Sequence, residues 1–133
     1  MMLTKIIRIA SKHLTLIKAF TFVWFLVITF LCIVPQDELP EAGGIPYFDK
    51  FVHFTLYFIF SILSLFVFSS GKMSTKILIL AGIFVFSFLI EVTQGIMPYG
   101  RTFSVTDLLA NLSGILAGLL LFQKKIKYLP SQQ

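Results

Sequence analysis

The sequence predicts an all-α membrane protein with four transmembrane helices, both termini cytoplasmic, and a short additional N-terminal helix lying at the interface. Three observations predict it. Of 133 residues, 57% are hydrophobic and 13% charged, against roughly 45–50% and about 25% in soluble domains. With 16 Phe, too little polar surface remains to coat a soluble core of this size. Breaks rich in Pro, Gly or Lys then divide the apolar residues into four stretches. Each approaches the roughly 20 residues needed to cross a ~30 Å hydrocarbon core. The third observation is charge asymmetry. Lys5, Arg8, Lys12, Lys18, Lys72, Lys76, Lys124, Lys125 and Lys127 fall on one side of such a bundle, and only Lys50 and Arg101 on the other. Basic residues favour the cytoplasmic side. All six acids, Asp37, Glu38, Glu41, Asp49, Glu91 and Asp107, then lie in the outer half. One domain spanning residues 1–133 is expected at this length.

Residues 1–16 carry Lys5, Arg8 and Lys12 at helical spacing, with Leu3, Ile6, Ile7, Ala10 and Leu14 on much of the remaining face. This pattern suits an interfacial helix on an anionic membrane surface, or equally a basic flank that sets topology. The first span is residues 16–34, with Lys18 reaching back to the interface. Residues 35–48 hold three Pro, two Gly and three acids and cannot continue a helix. They are expected to form an outer loop whose apolar end, 45–48, folds back over the bundle. The second span is 49–70, the turn 71–76 is basic, and the third span is 77–97. Glu91 stands about 9 Å inside the end of that third span, from the rise per residue. The fourth span, 106–122, begins beside Ser104, Thr106 and Asp107, with Ser104 or Thr106 as its N-cap. Gly114 and Gly118, four apart, permit close approach of another helix.

The single cysteine, Cys32, excludes an intramolecular disulfide and reads as a small core- or lipid-facing residue. Leu31 before it does not suit a lipoprotein cysteine, and no small-x-small cleavage site follows, so no cleaved signal is expected. The net charge of +5 is explained by topology, and no basic patch interleaved with exposed aromatics suggests nucleic acid.

The four-span topology brings the start of the second helix, the end of the third and the start of the fourth to one membrane face. Asp49, His53 and Tyr57 share a face at i, i+4 and i+8. Glu91 and Gln94 end the third span, Arg101 lies in the turn, and Asp107 and Asn111 open the fourth. Charged side chains are costly inside a bilayer and usually face a protein interior or a wet cavity. Asp49, Lys50, His53, Tyr57, Glu91, Gln94, Arg101, Asp107 and Asn111 are therefore the expected lining of an outer-leaflet polar pocket. Glu91 needs a partner there, Arg101 or His53, while Lys50 is expected to meet lipid phosphate.

Asp49, Lys50, His53, Phe54 and Tyr57, then Glu91 and Gln94, then Arg101, Asp107, Asn111, Gly114 and Gly118, in this order and at these spacings, resemble the VanZ-like family across residues 48–121. Ser104 stands where that pattern is often acidic. The resemblance implies a small multi-pass protein of the bacterial cell membrane. Founding members are associated with low-level resistance to the glycopeptide teicoplanin, without remodelling of the peptidoglycan precursor, and many relatives lie outside resistance clusters. The family name supplies no reaction.

Three chemistries fit the residues. The first is binding of an amphiphile, either a lipid head group, a glycolipid or an acyl-bearing glycopeptide. In it Arg101 and Lys50 hold phosphate or carboxylate, and the acids and amides hold hydroxyls. The second is a membrane enzyme acting on a lipid-linked envelope substrate, with Glu91, Asp107 and His53 as acid–base groups. The third is a metal site on His53, Glu91, Asp107 and Asp49. No dense ligand motif supports that third chemistry, so no metal or other cofactor is expected. A purely structural ion-pair cluster is the remaining alternative.

Overall fold

The computed structural model describes residues 5, 8, 9, 12–38, 44–68, 71–98 and 100–126. Four helices account for most of them: α1 (Leu14–Ile33), α2 (Phe48–Val67), α3 (Met73–Ile96) and α4 (Val105–Ile126), with one 3-10 turn at Gln36–Glu38. All four are long and apolar enough to cross a membrane. The interfacial helix expected over residues 1–16 falls largely outside the described residues. Within it, Lys5, Arg8 and Lys12 are exposed.

The boundaries shift from the expected ones where polarity misleads. α3 begins at Met73 rather than 77, because Ser74, Thr75 and Lys76 are polar but break no helix. Lys76 is buried, its ammonium 5.5 Å from the centre of the Phe122 ring, a cation–π geometry. α2 stops at Val67, three residues early, where the Gly71 N–H closes a turn on the Phe68 carbonyl at 3.0 Å. α4 runs to Ile126, four residues beyond expectation, since nothing in Gln123 to Lys125 breaks a helix.

Between apolar helices in lipid, association depends on close packing and interhelical hydrogen bonds rather than on hydrophobic transfer. α2 and α4 meet through Gly114 and Gly118. A Cβ at Gly114 would run into the Phe54 carbonyl and lie 3.0 Å from the Phe58 nitrogen. A Cβ at Gly118 would meet the Ser61 hydroxyl. α1 joins α2 through the Trp24 indole, which donates to the Leu56 carbonyl at 3.0 Å. The core between them holds Ile28 and Cys32 of α1, Tyr57, Phe60 and Leu65 of α2, Leu80 and Ile83 of α3, and Ile115 of α4. Cys32 faces this core as a free thiol. Thr21, Thr29, Thr55, Thr93 and Ser113 bond the carbonyl four residues back in their own helices. Those hydroxyls are thereby satisfied within apolar spans. Phe20, Phe22, Phe30, Leu78 and Leu120 point outwards, as a lipid-facing surface requires.

Candidate functional site

The site begins with a proline. Pro35 ends α1 and has no N–H, so the Leu31 carbonyl loses its partner four residues on. Arg101 supplies the missing donor, its Nη2 reaching the Leu31 oxygen at 3.0 Å. Gln94 does the same one residue later, Nε2 donating to the Cys32 carbonyl at 3.1 Å. An amide from the end of α3 and a cation from the turn after it thus cap the C-terminus of α1, where the helix dipole favours positive charge. Gly100, at φ +71°, adopts the left-handed conformation that glycine accepts without penalty, just before Arg101 returns to α1.

Ser104 is the N-cap of α4. Its hydroxyl accepts the Asp107 N–H at 3.2 Å. Ser-x-x-Asp is a capping-box pattern, in which the acid normally reaches back to the N–H of the cap residue. Here Glu91 of α3 takes that N–H instead, its Oε2 accepting from Ser104 at 3.3 Å. Asp107 is released from capping and turns into the bundle, where Oδ1 pairs with Lys50 and Oδ2 lies 3.9 Å from His53 Nε2. Replacing Ser104 by alanine removes the cap, and a loss of about 1 kcal/mol is expected in thermal unfolding.

His53 is oriented from behind. Its Nδ1 is 3.0 Å from Asn111 Oδ1, and Asn111 Nδ2 donates to Ser87 Oγ at 3.0 Å. With the amide nitrogen committed to Ser87, the amide oxygen faces the ring, so Nδ1 is the donor. The Nε2 lone pair of the neutral ring is then turned towards Asp107. Glu91 is fully buried, with Oε1 3.8 Å from His53 Nδ1 and without a hydrogen-bond partner among the described residues. One ligand atom each from His53, Glu91 and Asp107 lies within 4.8 Å of the other two.

Above this cluster a cavity of about 1060 Å³ opens between the α1 end, the α2 start and the α3–α4 turn. Its polar wall carries Asp37, Asp49, Lys50, His53, Gln94, Arg101 and Asp107, and its apolar wall Leu31, Ile45, Phe48, Val52 and Leu56. Ile45 and Phe48, from the loop end expected to fold back, form part of that wall.

Of the nine expected site residues, the structure brings Asp49, Lys50, His53, Gln94, Arg101 and Asp107 onto the cavity. Glu91, Tyr57 and Asn111 stand behind its wall, all three fully buried. Lys50 is held by Asp107 and by Asp49, the latter at 2.6 Å. Arg101 bonds the α1 carbonyl and makes no ion pair with Glu91 among the described residues. His53, the other expected partner, is the near one.

Sequence reasoning overlooked Ser87 and the carbonyls of Leu31 and Cys32. Ser87 carried no signal, being one small polar residue in an apolar span. The carbonyls did carry one: a proline four residues past Leu31 leaves an acceptor that something must satisfy. A family model described as VanZ/LLP1 matches residues 3–127. No curated protein and no solved structure matches the chain.

Proposed function

The chain belongs to the VanZ/LLP1 family, and from that premise we propose that it binds the polar head of a membrane amphiphile in the cavity at the α1–α2–α3–α4 end. A lipid head group, a glycolipid and an acyl-bearing glycopeptide antibiotic share the chemistry this requires. The observation that carries the reading is the cavity's two-sided wall: hydrophobic residues on one side, and two bases, three acids, an amide and an imidazole on the other. The site is read as facing outwards from a bacterial cell membrane, because nine of the 11 bases fall in the sequence segments that flank the other ends of the four spans.

The residues divide the work. Arg101 has a buried Nε with no hydrogen-bond partner among the described residues, while Nη2 is anchored on α1. A phosphate or carboxylate oxygen meets a donor that is already oriented. The Lys50 ammonium, fixed between Asp49 and Asp107, presents its third N–H to the same anion. The Gln94 carbonyl and the Asp49 carboxylate accept from hydroxyls. The volume lies just above the roughly 300–1,000 Å³ found for small-ligand pockets, which suits a head group bearing a sugar rather than a bare phosphate.

Purified protein is expected to retain an amphiphile at about one per chain, identified by mass spectrometry of the extracted lipids. Arg101→Ala and Asp107→Asn are expected to lower that retention at least about tenfold, the loss of charge-assisted hydrogen bonds. Equal retention in folded variants would place the ligand elsewhere. If the amphiphile is the lipoglycopeptide, expression in susceptible cells raises teicoplanin tolerance, and Asp107→Asn abolishes the rise.

One observation favours a second reading. His53 lies between two carboxylates, 3.8 Å from Glu91 and 3.9 Å from Asp107, an arrangement fit for proton transfer to or from a bound substrate. A new product formed from extracted envelope lipids, absent with Glu91→Gln, would convert the binding site into an active site.

A further inference from the structure

The geometry points to a divalent transition-metal site at the floor of this cavity, with His53 Nε2, Glu91 Oε1 and Asp107 Oδ2 as protein ligands. It deepens the head-group reading by naming what lies beneath the same cavity, yet it is tested with no lipid added, so either idea can fail alone.

Three independent features converge on it. The first is proximity, since ligand atoms from three helices lie within 4.8 Å of one another. Ligands of a tetrahedral ion with bonds of about 2.0 Å sit roughly 3.3 Å apart. Small side-chain rotations therefore close the His53–Asp107 separation of 3.9 Å onto a shared ion. The second is a buried carboxyl group with one oxygen left unmatched. Glu91 is fully buried, accepts one hydrogen bond through Oε2 and leaves Oε1 with none. An isolated buried carboxylate carries a penalty of several kcal/mol unless something positive or donating meets it. Arg101 is turned away to α1, and Lys50 is bound to Asp107 and Asp49.

The third feature is the set of groups that orient the ligands. Metal-binding histidines ordinarily donate their second ring N–H to an oxygen that fixes ring and tautomer. The Asn111 oxygen does this at His53 Nδ1 and is itself locked by Ser87. The Ser104 N–H holds one oxygen of Glu91 and leaves the other free. Lys50 likewise occupies Oδ1 of Asp107 and leaves Oδ2. Each ligand is thus held by one atom and leaves another free; Oε1 of Glu91 lies nearest Nδ1 and Oδ2 of Asp107 nearest Nε2, so a turn of the Glu91 carboxylate brings both acids to the free ring nitrogen. The fourth position remains for water or for a phosphate oxygen of the amphiphile. One imidazole with two carboxylates selects Zn²⁺ or Mn²⁺ over Mg²⁺, which prefers water and oxygen alone.

The test uses the full chain, purified in detergent, stripped with chelator and titrated separately with Zn²⁺, Mn²⁺ and Mg²⁺, with elemental analysis as the readout. The expected result is saturation at one Zn²⁺ or Mn²⁺ per chain, and at least about tenfold weaker binding in Glu91→Gln, His53→Gln and Asp107→Asn, each as damaging as the loss of an orienting group. Circular dichroism of the metal-free variants identifies any that fail to fold, and those are set aside. The wild-type Co²⁺ spectrum then decides by itself, with visible d–d bands expected for a low-coordinate nitrogen–oxygen site. No saturable binding, equal stoichiometry in folded variants, a Co²⁺ spectrum matching the aqueous ion, or Mg²⁺ bound as tightly as Zn²⁺ would each overturn the assignment.

Discussion

Gly114→Ala is expected to destabilise the bundle by about 1–3 kcal/mol, the ordinary range for forcing a methyl group into a packed interface, and to lower the melting temperature in detergent by several degrees. The reason is what the methyl group meets. At Gly114 the obstruction is backbone, the Phe54 carbonyl and the Phe58 nitrogen, and neither can rotate aside. α4 would have to move away from α2 along the line that holds Asp107 and Asn111 against His53. Retained amphiphile and bound metal are therefore expected to fall together with stability.

Two companion variants calibrate the result. At Gly118 the nearest atom is the Ser61 hydroxyl, which can turn away from its bond to the Phe58 carbonyl, so Gly118→Ala should be milder. Gly82 has nothing within 4 Å of the added carbon. Gly82→Ala is expected to be neutral or to stabilise by up to about 1 kcal/mol through helix propensity. Gly114→Ala melting no lower than Gly82→Ala would show that α2 and α4 do not pack through this glycine.

Arg101→Ala is expected to have the second large effect, and a double variant separates its two causes. Loss of the guanidinium leaves the Leu31 carbonyl without a donor, worth about 1–3 kcal/mol for a buried acceptor. It also removes the cation proposed to hold the head group. Pro35→Ala restores an N–H four residues after Leu31, so that α1 can satisfy its own carbonyl. The double variant is expected to recover most of the lost stability while amphiphile retention stays low. Melting curves and lipid extraction on the four proteins of this cycle give the coupling directly. If Pro35→Ala restores neither quantity, the Arg101–Leu31 bond is not what stabilises the end of α1.

Much of the architecture was legible in the residues because lipid imposes simple rules. Four apolar stretches of the right length, each closed by proline, glycine or lysine, leave few alternatives once every backbone group must be bonded within its own helix. The errors fell at the ends. Ser74, Thr75 and Lys76 read as a turn because they are polar, yet helices end for want of backbone partners, not for polarity. The candidate residues were legible for a related reason: Glu91 or His53 placed inside a span is costly enough to imply a neighbour.

Which neighbour was a different question. Glu91 had Arg101 and His53 available, and spacing along a chain cannot choose between them. The pairing of Lys50 with Asp107, 57 residues on, was equally out of reach of local spacing. The capping box at Ser104 shows why such choices lie beyond local reading. By sequence its reciprocal bond belongs to Asp107, three residues away, and in the fold it belongs to Glu91, 13 residues back on another helix.

The amino-acid order by itself determined that this chain forms apolar helices, how many, where their polar ends fall and which residues need partners. These are consequences of hydration and hydrogen bonding acting over a few residues at a time. Only the tertiary structure decided that Glu91 relieves Asp107 of capping, that Arg101 turns to α1, and that His53 stands between two carboxylates, one nearest each ring nitrogen. Each of those outcomes depends on distances between separate helices, and those distances follow from how closely Gly114 and Gly118 let α4 approach α2.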